Sequence, residues 1–276
     1  MSKKIIFHKM QALGNDFVMI ESIFQVCNIS TLAIKQLANR HLGIGFDQLI
    51  SIEKGQEADF FCRIFNVDGS EAEQCGNGLR CVAKLVYDLG LTNNLTFTLQ
   101  TKAGLFPVEI KSNSVVSISM GLPIFEPSKI PFITESQRPY YLLNLKYNDV
   151  KINVLSMGNP HAILEMPSST LLAQENVAAE IAKHSAFPNG VNIGFIEIIN
   201  RNTIRLRTFE RGVGETYACG SNACAAVVSG IMNKSLDNKV KVELLLGTLE
   251  IEWGGVNEPV FMTGPANYVF EGFLKC

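Results

Sequence analysis

Two stretches of this 276-residue chain repeat one another: Phe65-Asn66 … Glu71 … Cys75-Gly76 and Phe209-Glu210 … Glu215 … Cys219-Gly220. In each, the Cys follows the Phe by ten residues and the Glu by four, and directly precedes a Gly. The offset is 219 − 75 = 144, and it is kept by Gly14-Asn15 against Gly158-Asn159 and by Gln48 against Asn192. Further on it slips by one residue, with Gly104 against Gly247 and Gly121 against Gly264. A near-constant offset of about half the chain marks an internal duplication. It predicts two similar halves related by a pseudo-twofold axis, with Cys75 and Cys219 facing each other across it. Matched groups on opposite sides of one pocket suit a reaction with two mirror-related faces, the inversion of a stereocentre.

Composition narrows the classes. With 47% hydrophobic residues the chain can bury one large core or two of ordinary size. A net charge of −2 without a Lys/Arg cluster argues against nucleic acid or a membrane surface as partner. No apolar run approaches a membrane span, and Met1-Ser2-Lys3-Lys4 lacks the apolar stretch of a signal peptide, so a soluble, cytoplasmic protein is expected. The seven cysteines are odd in number and irregular in spacing, which in a reducing compartment suits thiols better than a disulfide framework.

Strand and helix signals interleave. Ile5 to Phe7 and Phe17 to Ile20 read as strands, and Ser30 to His41 as a helix capped by Ser30 and ended by Gly43. Phe60 to Phe65 runs as a strand into the turn Asp68-Gly69-Ser70. A helix then spans Gly76 to Gly90, with Leu79, Val82, Leu85, Val86 and Leu89 on its apolar stripe, and strands continue to about Ser119. The second half repeats the plan: a strand over Ile152 to Leu155, a helix over Thr170 to His184, and strands over Val191 to Ile199 and Thr203 to Phe209. The helix from Ser221 to Met232 has no charged residue and must be buried on every side. The expected fold is α/β (α+β), two halves from a duplication, each a curled mixed sheet around a central helix. The halves are placed at 1–119, with a returning segment 266–276, and at 120–265.

Cys75 and Cys219 each open a helix, followed by Gly76-Asn77 and Gly220-Ser221. Backbone N–H groups and the positive end of the helix dipole stabilise a thiolate there, lowering a reference pKa of ~8.5. The same N–H groups suit a carboxylate. Two opposed helix starts could clamp one carboxylate with a sulfur on each side of its α-carbon. One Cys, as thiolate, would take the α-proton and the other would protonate the opposite face. No cofactor is needed if the clamp stabilises the carbanion-like transition state. Cys27 and Cys62 read as inert core, Cys81 and Cys224 as helix packing, and Cys276 as incidental. A zinc site built from Cys75, Cys81, Cys219 and Cys224 lacks the close pairing such sites use, so no metal is expected. His8, His41 and His184 read as surface or half-buried residues. His161, in the repeat-matched loop after Gly158-Asn159-Pro160, is open between site and packing. Asn66 and Glu210 are matched strand-end polar residues that favour a site. Arg211 is open between a solvated charge and a carboxylate clamp.

The chain resembles the diaminopimelate epimerases. The resemblance rests on Lys9-Met10 to Gly14-Asn15-Asp16-Phe17, Arg40 to Gln48, Phe65 to Ser70, Gln74-Cys75-Gly76-Asn77-Gly78-Leu79-Arg80-Cys81, Met157 to His161, Glu210 to Thr216 and Ala218-Cys219-Gly220-Ser221. It covers nearly the whole chain. It implies a cofactor-independent epimerase converting LL-2,6-diaminopimelate to the meso form, in lysine and peptidoglycan biosynthesis, working as a homodimer. It assigns Cys75 as the proton donor and Cys219 as the acceptor in that direction. Asn15, Gln48, Asn66, Gly76, Asn77, Asn159, Asn192, Glu210, Arg211, Gly220 and Ser221 would bind substrate, and His161 and Glu210 would tune the thiols. Tyr217 and Asn222 depart from the family pattern, and neither is expected to touch a chemical group. The rivals are a proline or hydroxyproline racemase of the same fold and, from another class, a thiol redox or metal-binding protein without turnover.

Overall fold

Alternating burial from Lys4 onward, with Ile5 and Phe7 buried and Ile6 exposed, makes Lys4–Ala12 a strand, β1. The chain reverses at Leu13 and Gly14, the latter at φ +85°, into β2 (Asn15–Glu21), which pairs antiparallel with β1. The computed structural model describes residues 4–25, 30–146, 148–167 and 174–275. They form two units, Met1–Ser119 with Thr263–Cys276, and Met120–Met262.

The first unit continues with α1 (Thr31–Ala38), β3 (Gln48–Lys54), β4 (Phe60–Asn66), β5 (Glu71–Ala72) and α2 (Gly76–Asp88). It goes on through β6 (Thr96–Thr101), β7 (Gly104–Ser112) and β8 (Val115–Ser119). β2 pairs parallel with β3 through the α1 crossover, β3 antiparallel with β4, and β4 parallel with β6 across α2. Helix α2 packs on β1, β2, β7 and β8, and its residues 77–86 are all buried. The sheet therefore curls around the helix and leaves it no solvent face. α1 lies on the other side of the sheet, where Ile34 and Ala38 join Ile5, Phe7, Val18, Ile20, Phe46 and Leu49 in one cluster.

The second unit comprises β9 (Tyr141–Asn144), β10 (Asp149–Ser156), β11 (Pro160–Glu165), α3 (Glu175–Ala182), β12 (Asn192–Asn200), β13 (Thr203–Glu210), β14 (Gly214–Thr216), α4 (Gly220–Met232), β15 (Lys239–Leu244) and β16 (Gly247–Trp253). β17 (Val260–Pro265) carries the chain back to the first unit, where β18 (Asn267–Lys275) pairs antiparallel with β1. The duplication is visible in the strand registers. Phe17 pairs with Gln48 as His161 does with Asn192, and Leu49 pairs with Phe65 as Ile193 does with Phe209, at the 144-residue offset. Beyond the central helices, Thr101 pairs with Gly104 as Leu244 does with Gly247, at an offset of 247 − 104 = 143. The slip falls in the connection between central helix and next strand, where losing a residue disturbs no ladder. The architecture is a mixed α/β fold dominated by sheet, as expected.

Several local readings need correction. α1 ends at Ala38 rather than His41 because Asn39 turns to φ −62°, ψ 121° and its side-chain oxygen accepts the N–H groups of His41 and Leu42. Its start agrees with the sequence, Ser30 accepting from the Ala33 N–H at 3.2 Å. Gly43 is needed for a different reason from termination: a Cβ there would meet the Gln36 carbonyl oxygen at 2.4 Å. α3 occupies Glu175–Ala182, shorter than the expected span, whose first residues fall outside those described, as do Cys27 and Cys276. Leu89, placed on the buried stripe of α2, is 42% exposed, because the helix ends one residue before it. His8 is buried, with Nδ1 3.1 Å from the Tyr268 hydroxyl of β18.

Candidate active site

In the first unit Cys75 is the N-cap of α2, in extended conformation, and its Sγ accepts from the Gly78 N–H at 3.4 Å. Around it the sheet ends supply amides. Asn15 Oδ1 lies 3.7 Å from Cys75 Sγ and accepts from Asn77 Nδ2 at 3.4 Å. The Asn15 amide cannot rotate freely, since its Nδ2 donates to the Asp47 carboxylate at 2.9 Å. Asp47 is bonded by Arg40, which also grips Asp16 through both guanidinium arms, and Lys9 pairs with Asp16 at 2.6 Å. Burial raises the Asp16 pKa, but the bonds and charges of Arg40 and Lys9 outweigh it and hold the carboxyl at about 2. Gln48 donates to Asn66 Oδ1 at 3.0 Å, and Asn66 in turn to Ser70 Oγ at 3.1 Å. Gln48 Oε1 is buried and, among the described residues, meets no hydrogen-bond donor. Behind Asn77, the fully buried Arg80 donates to its Oδ1 at 2.9 Å and to the Pro265 carbonyl at 3.4 Å.

In the second unit Cys219 caps α4 in the same extended conformation, its Sγ 3.4 Å from Ser221 Oγ. Asn192 ties two loops together: its Nδ2 donates to the Pro160 carbonyl at 3.0 Å and its Oδ1 accepts from the Arg211 N–H at 3.0 Å. Arg211 Nη1 donates to the Asn189 carbonyl at 2.9 Å, and Glu210 accepts from Thr216 Oγ1 at 2.6 Å. His161 is fully buried between Asn159, 2.9 Å from Nε2, and Asn222, 3.3 Å from Nδ1. Asn222 therefore does touch a chemical group, against the sequence reading; Tyr217 is 59% exposed. In the first unit Asn15, Gly76 and Asn77 lie at the Cys75 helix start, while Gln48 and Asn66 bond each other at the ends of β3 and β4. In the second, Gly220 and Ser221 open the Cys219 helix, His161 joins Asn159 to Asn222 of α4, and Asn192 holds the backbone of Arg211 next to Glu210.

Sequence reasoning missed the supports. Glu71 and Glu215 entered only as marks of the repeat. They are gripped by Arg63 (3.1 and 3.4 Å) and Arg207 (2.8 and 2.9 Å), pairs that hold the short hairpins leading into each Cys. Both arginines keep the 207 − 63 = 144 offset, which was the available signal. The Lys9–Asp16–Arg40–Asp47 cluster carried no repeat signal. Of the other cysteines, Cys62 and Cys81 are buried; burial pushes the Cys62 thiol up and the Cys81 thiol up to about 12. Among the described residues no three His, Cys, Asp or Glu side chains are grouped to hold a metal ion. Nor is any helix among them long and apolar enough to cross a membrane.

Burial holds the His161 pKa down to about 3, from 6.5, against a weaker opposing bond from Asn222. Between these values the unfolded chain takes up a proton that the folded chain refuses. Stability therefore falls as pH drops below 6.5 and this loss levels off near 3, by up to about 1.4 kcal/mol per pH unit. Urea-unfolding free energies measured from pH 7 to 4.5 are expected to show that decline. A flat profile across this range would contradict the neutral, buried imidazole.

The strand order and the helix held within a curled sheet place the chain in a known group of folds. The structure resembles a hydroxyproline epimerase from Agrobacterium vitis (TM-score 0.70, 13% identity, 100% of this chain and 94% of that one). It also resembles a PhzF-family phenazine biosynthesis protein from Bacillus anthracis (TM-score 0.68, 16% identity, 99% and 100%). This is the mixed α/β fold of the PhzF, proline racemase and diaminopimelate epimerase proteins. Within it, the family model for diaminopimelate epimerase matches residues 7–126 and 153–269. The diaminopimelate epimerase of Nitrosomonas europaea is 48% identical over 272 residues, covering 98% of this chain and 99% of that protein. That of Teredinibacter turnerae is 46% identical over 274 residues, covering 99% of each. The chain belongs to the diaminopimelate epimerase family.

Proposed function

We infer that the protein is an isomerase interconverting LL- and meso-2,6-diaminopimelate, with Cys75 and Cys219 as the acid and base on opposite faces of one α-carbon. The observation that carries the reading is the Cys-capped central helix occurring once in each unit of a chain of this family. In the LL to meso direction the Cys219 thiolate takes the α-proton while the Cys75 thiol delivers its own to the other face. The pair ends as Cys219 thiol and Cys75 thiolate, so no redox partner or other reagent is consumed. The setting of Cys75 supports its role as acid. Asn15 is fixed by Asp47 with its oxygen towards the sulfur, and an amide oxygen can only accept, which favours S–H there. The helix-start N–H groups at Gly76-Asn77 and Gly220-Ser221 suit the α-carboxylate, whose charge grows as the proton leaves.

At the far end of the substrate, Arg211 is proposed to grip the second carboxylate and Glu210 an ammonium group. Asn66, Asn159 and Asn192 supply further amides. The orphaned acceptor Gln48 Oε1 supports a ligand bearing N–H donors, because an unpaired buried oxygen is costly. We place the enzyme in the cytoplasm, as a homodimer, in the supply of meso-diaminopimelate for lysine and peptidoglycan. Incubation with LL-diaminopimelate in D₂O should yield the meso isomer deuterated at one α-carbon, while L-proline under the same conditions stays unlabelled. Deuteration of proline without turnover of diaminopimelate would transfer the chain to the racemase reading.

A further inference from the structure

Asn222 is fully buried on α4, three residues beyond Cys219. Its orientation is dictated by its neighbours. The amide nitrogen donates to the Ile193 carbonyl at 3.0 Å and to Thr208 Oγ1 at 3.1 Å. A backbone carbonyl can only accept, so the nitrogen belongs on that side and Oδ1 faces His161 Nδ1. That oxygen also can only accept, so the ring hydrogen sits on Nδ1. Nε2 then presents a bare lone pair towards Asn159, whose Oδ1 is placed 2.9 Å away. Two acceptors do not share that distance, so the Asn159 amide must turn its nitrogen to the ring. A doubly protonated ring would escape this conclusion, but burial excludes it near neutral pH.

We propose that Asn222 is a positioning residue: it locks His161 as the Nδ1–H tautomer, and His161 thereby fixes the Asn159 amide with its oxygen directed away from the ring, as an acceptor for substrate. The duplication shows that this is a built arrangement. At the matched positions the first unit has Gly78 for Asn222, Phe17 for His161 and Ile50 for Gly194. A Cβ on Gly78 would sit 2.6 Å from Ile50 Cδ1, whereas a Cβ on Gly194 would sit 2.8 Å from Asn222 Oδ1. The volume that an isoleucine fills in one unit is filled by the asparagine amide in the other, and an apolar contact is replaced by a directional one.

The proposal rests on the functional reading only in making Asn159 a substrate contact, and its test separates the two. Long-range ¹H–¹⁵N correlation spectra of the ¹⁵N-histidine-labelled protein, with His161 assigned by its loss in a His161→Phe variant, report the tautomer without reference to activity. The expected wild-type result is a pyrrole-type Nδ1 and a pyridine-type Nε2, unchanged from pH 8 to 5. A pyrrole-type Nε2, or an imidazolium appearing in that range, overturns the proposal. In Asn222→Ala the tautomers should mix, and KM for diaminopimelate should rise ~3–10-fold with a smaller change in kcat, the loss expected from one misdirected hydrogen bond. Persistence of the single tautomer with unchanged KM would overturn the positioning role. Should that variant not fold, the wild-type spectrum decides.

Discussion

Replacing either Cys75 or Cys219 by Ala is expected to abolish epimerisation, with a loss of at least ~10²–10⁴-fold in kcat, the range for one general acid–base partner. Under the two-base mechanism proposed here, neither sulfur can serve the other's face, and proton transfer is the whole of the chemistry. The fold should survive both changes. Each Cys sits at a helix start, and the first intrahelical bonds there run from the Leu79 and Ala223 N–H groups to the Cys backbone oxygens at 2.8 and 3.0 Å, which alanine retains. Turnover of LL-diaminopimelate, followed alongside circular dichroism, distinguishes lost chemistry from lost structure. A folded Cys75→Ala enzyme with near-normal turnover would sink the mechanism.

The largest expected effect on stability comes from giving the first unit the residue of the second. In Gly78→Asn the new Cβ would lie 2.6 Å from Ile50 Cδ1 and 3.2 Å from Phe17 Cε1, deep beside a fully buried helix. Overpacking costs ~1–3 kcal/mol, and an amide facing aliphatic and aromatic carbon adds ~1–3 kcal/mol, so about 2–6 kcal/mol should be lost. Adding Ile50→Gly reopens the space that Gly194 leaves in the second unit. The double variant should therefore be less damaged than the two single changes summed, by ~1 kcal/mol or more. Urea denaturation of the four proteins closes the cycle. A Gly78→Asn single variant within ~0.5 kcal/mol of wild type would show that the two helix settings are interchangeable.

How much of this was legible depends on the kind of signal each feature leaves. The duplication was readable because Gly14, Asn15, Gln48 and their partners kept their spacing while the apolar residues between them drifted. Of the central helices, α4 was readable from composition alone, since the segment Gly220–Met232 without charge cannot face water, whereas α2, with Arg80, Lys84 and Asp88, was readable from its apolar stripe. The end of α1 was not: Asn39 is an ordinary helix-surface residue until its side chain closes on the His41 and Leu42 N–H groups, a local competition that periodicity does not register. The role of Asn222 was hidden for a different reason. Its partners Ile193, Thr208 and His161 come from three strands, and nothing in the run from Cys219 to Ala223 points to them. The Arg63–Glu71 and Arg207–Glu215 pairs did leave a trace, the shared spacing, masked because exposed arginines are common.

The pairing of β1 with β18 sets an order of assembly during synthesis. Lys4 meets Lys275 and Ile5 meets Leu274, so the first strand of the first unit takes its neighbour from a segment made after the entire second unit. The nascent first unit leaves the ribosome with one edge of its sheet open, and with Phe7 and His8 lacking the contacts that Phe270 and Tyr268 of β18 provide. The second unit is one continuous segment, Met120–Met262. Although it is translated second, it is the first that can be completed, and the unfinished edge of its elder twin is the stretch on which a chaperone or a misplaced strand would act.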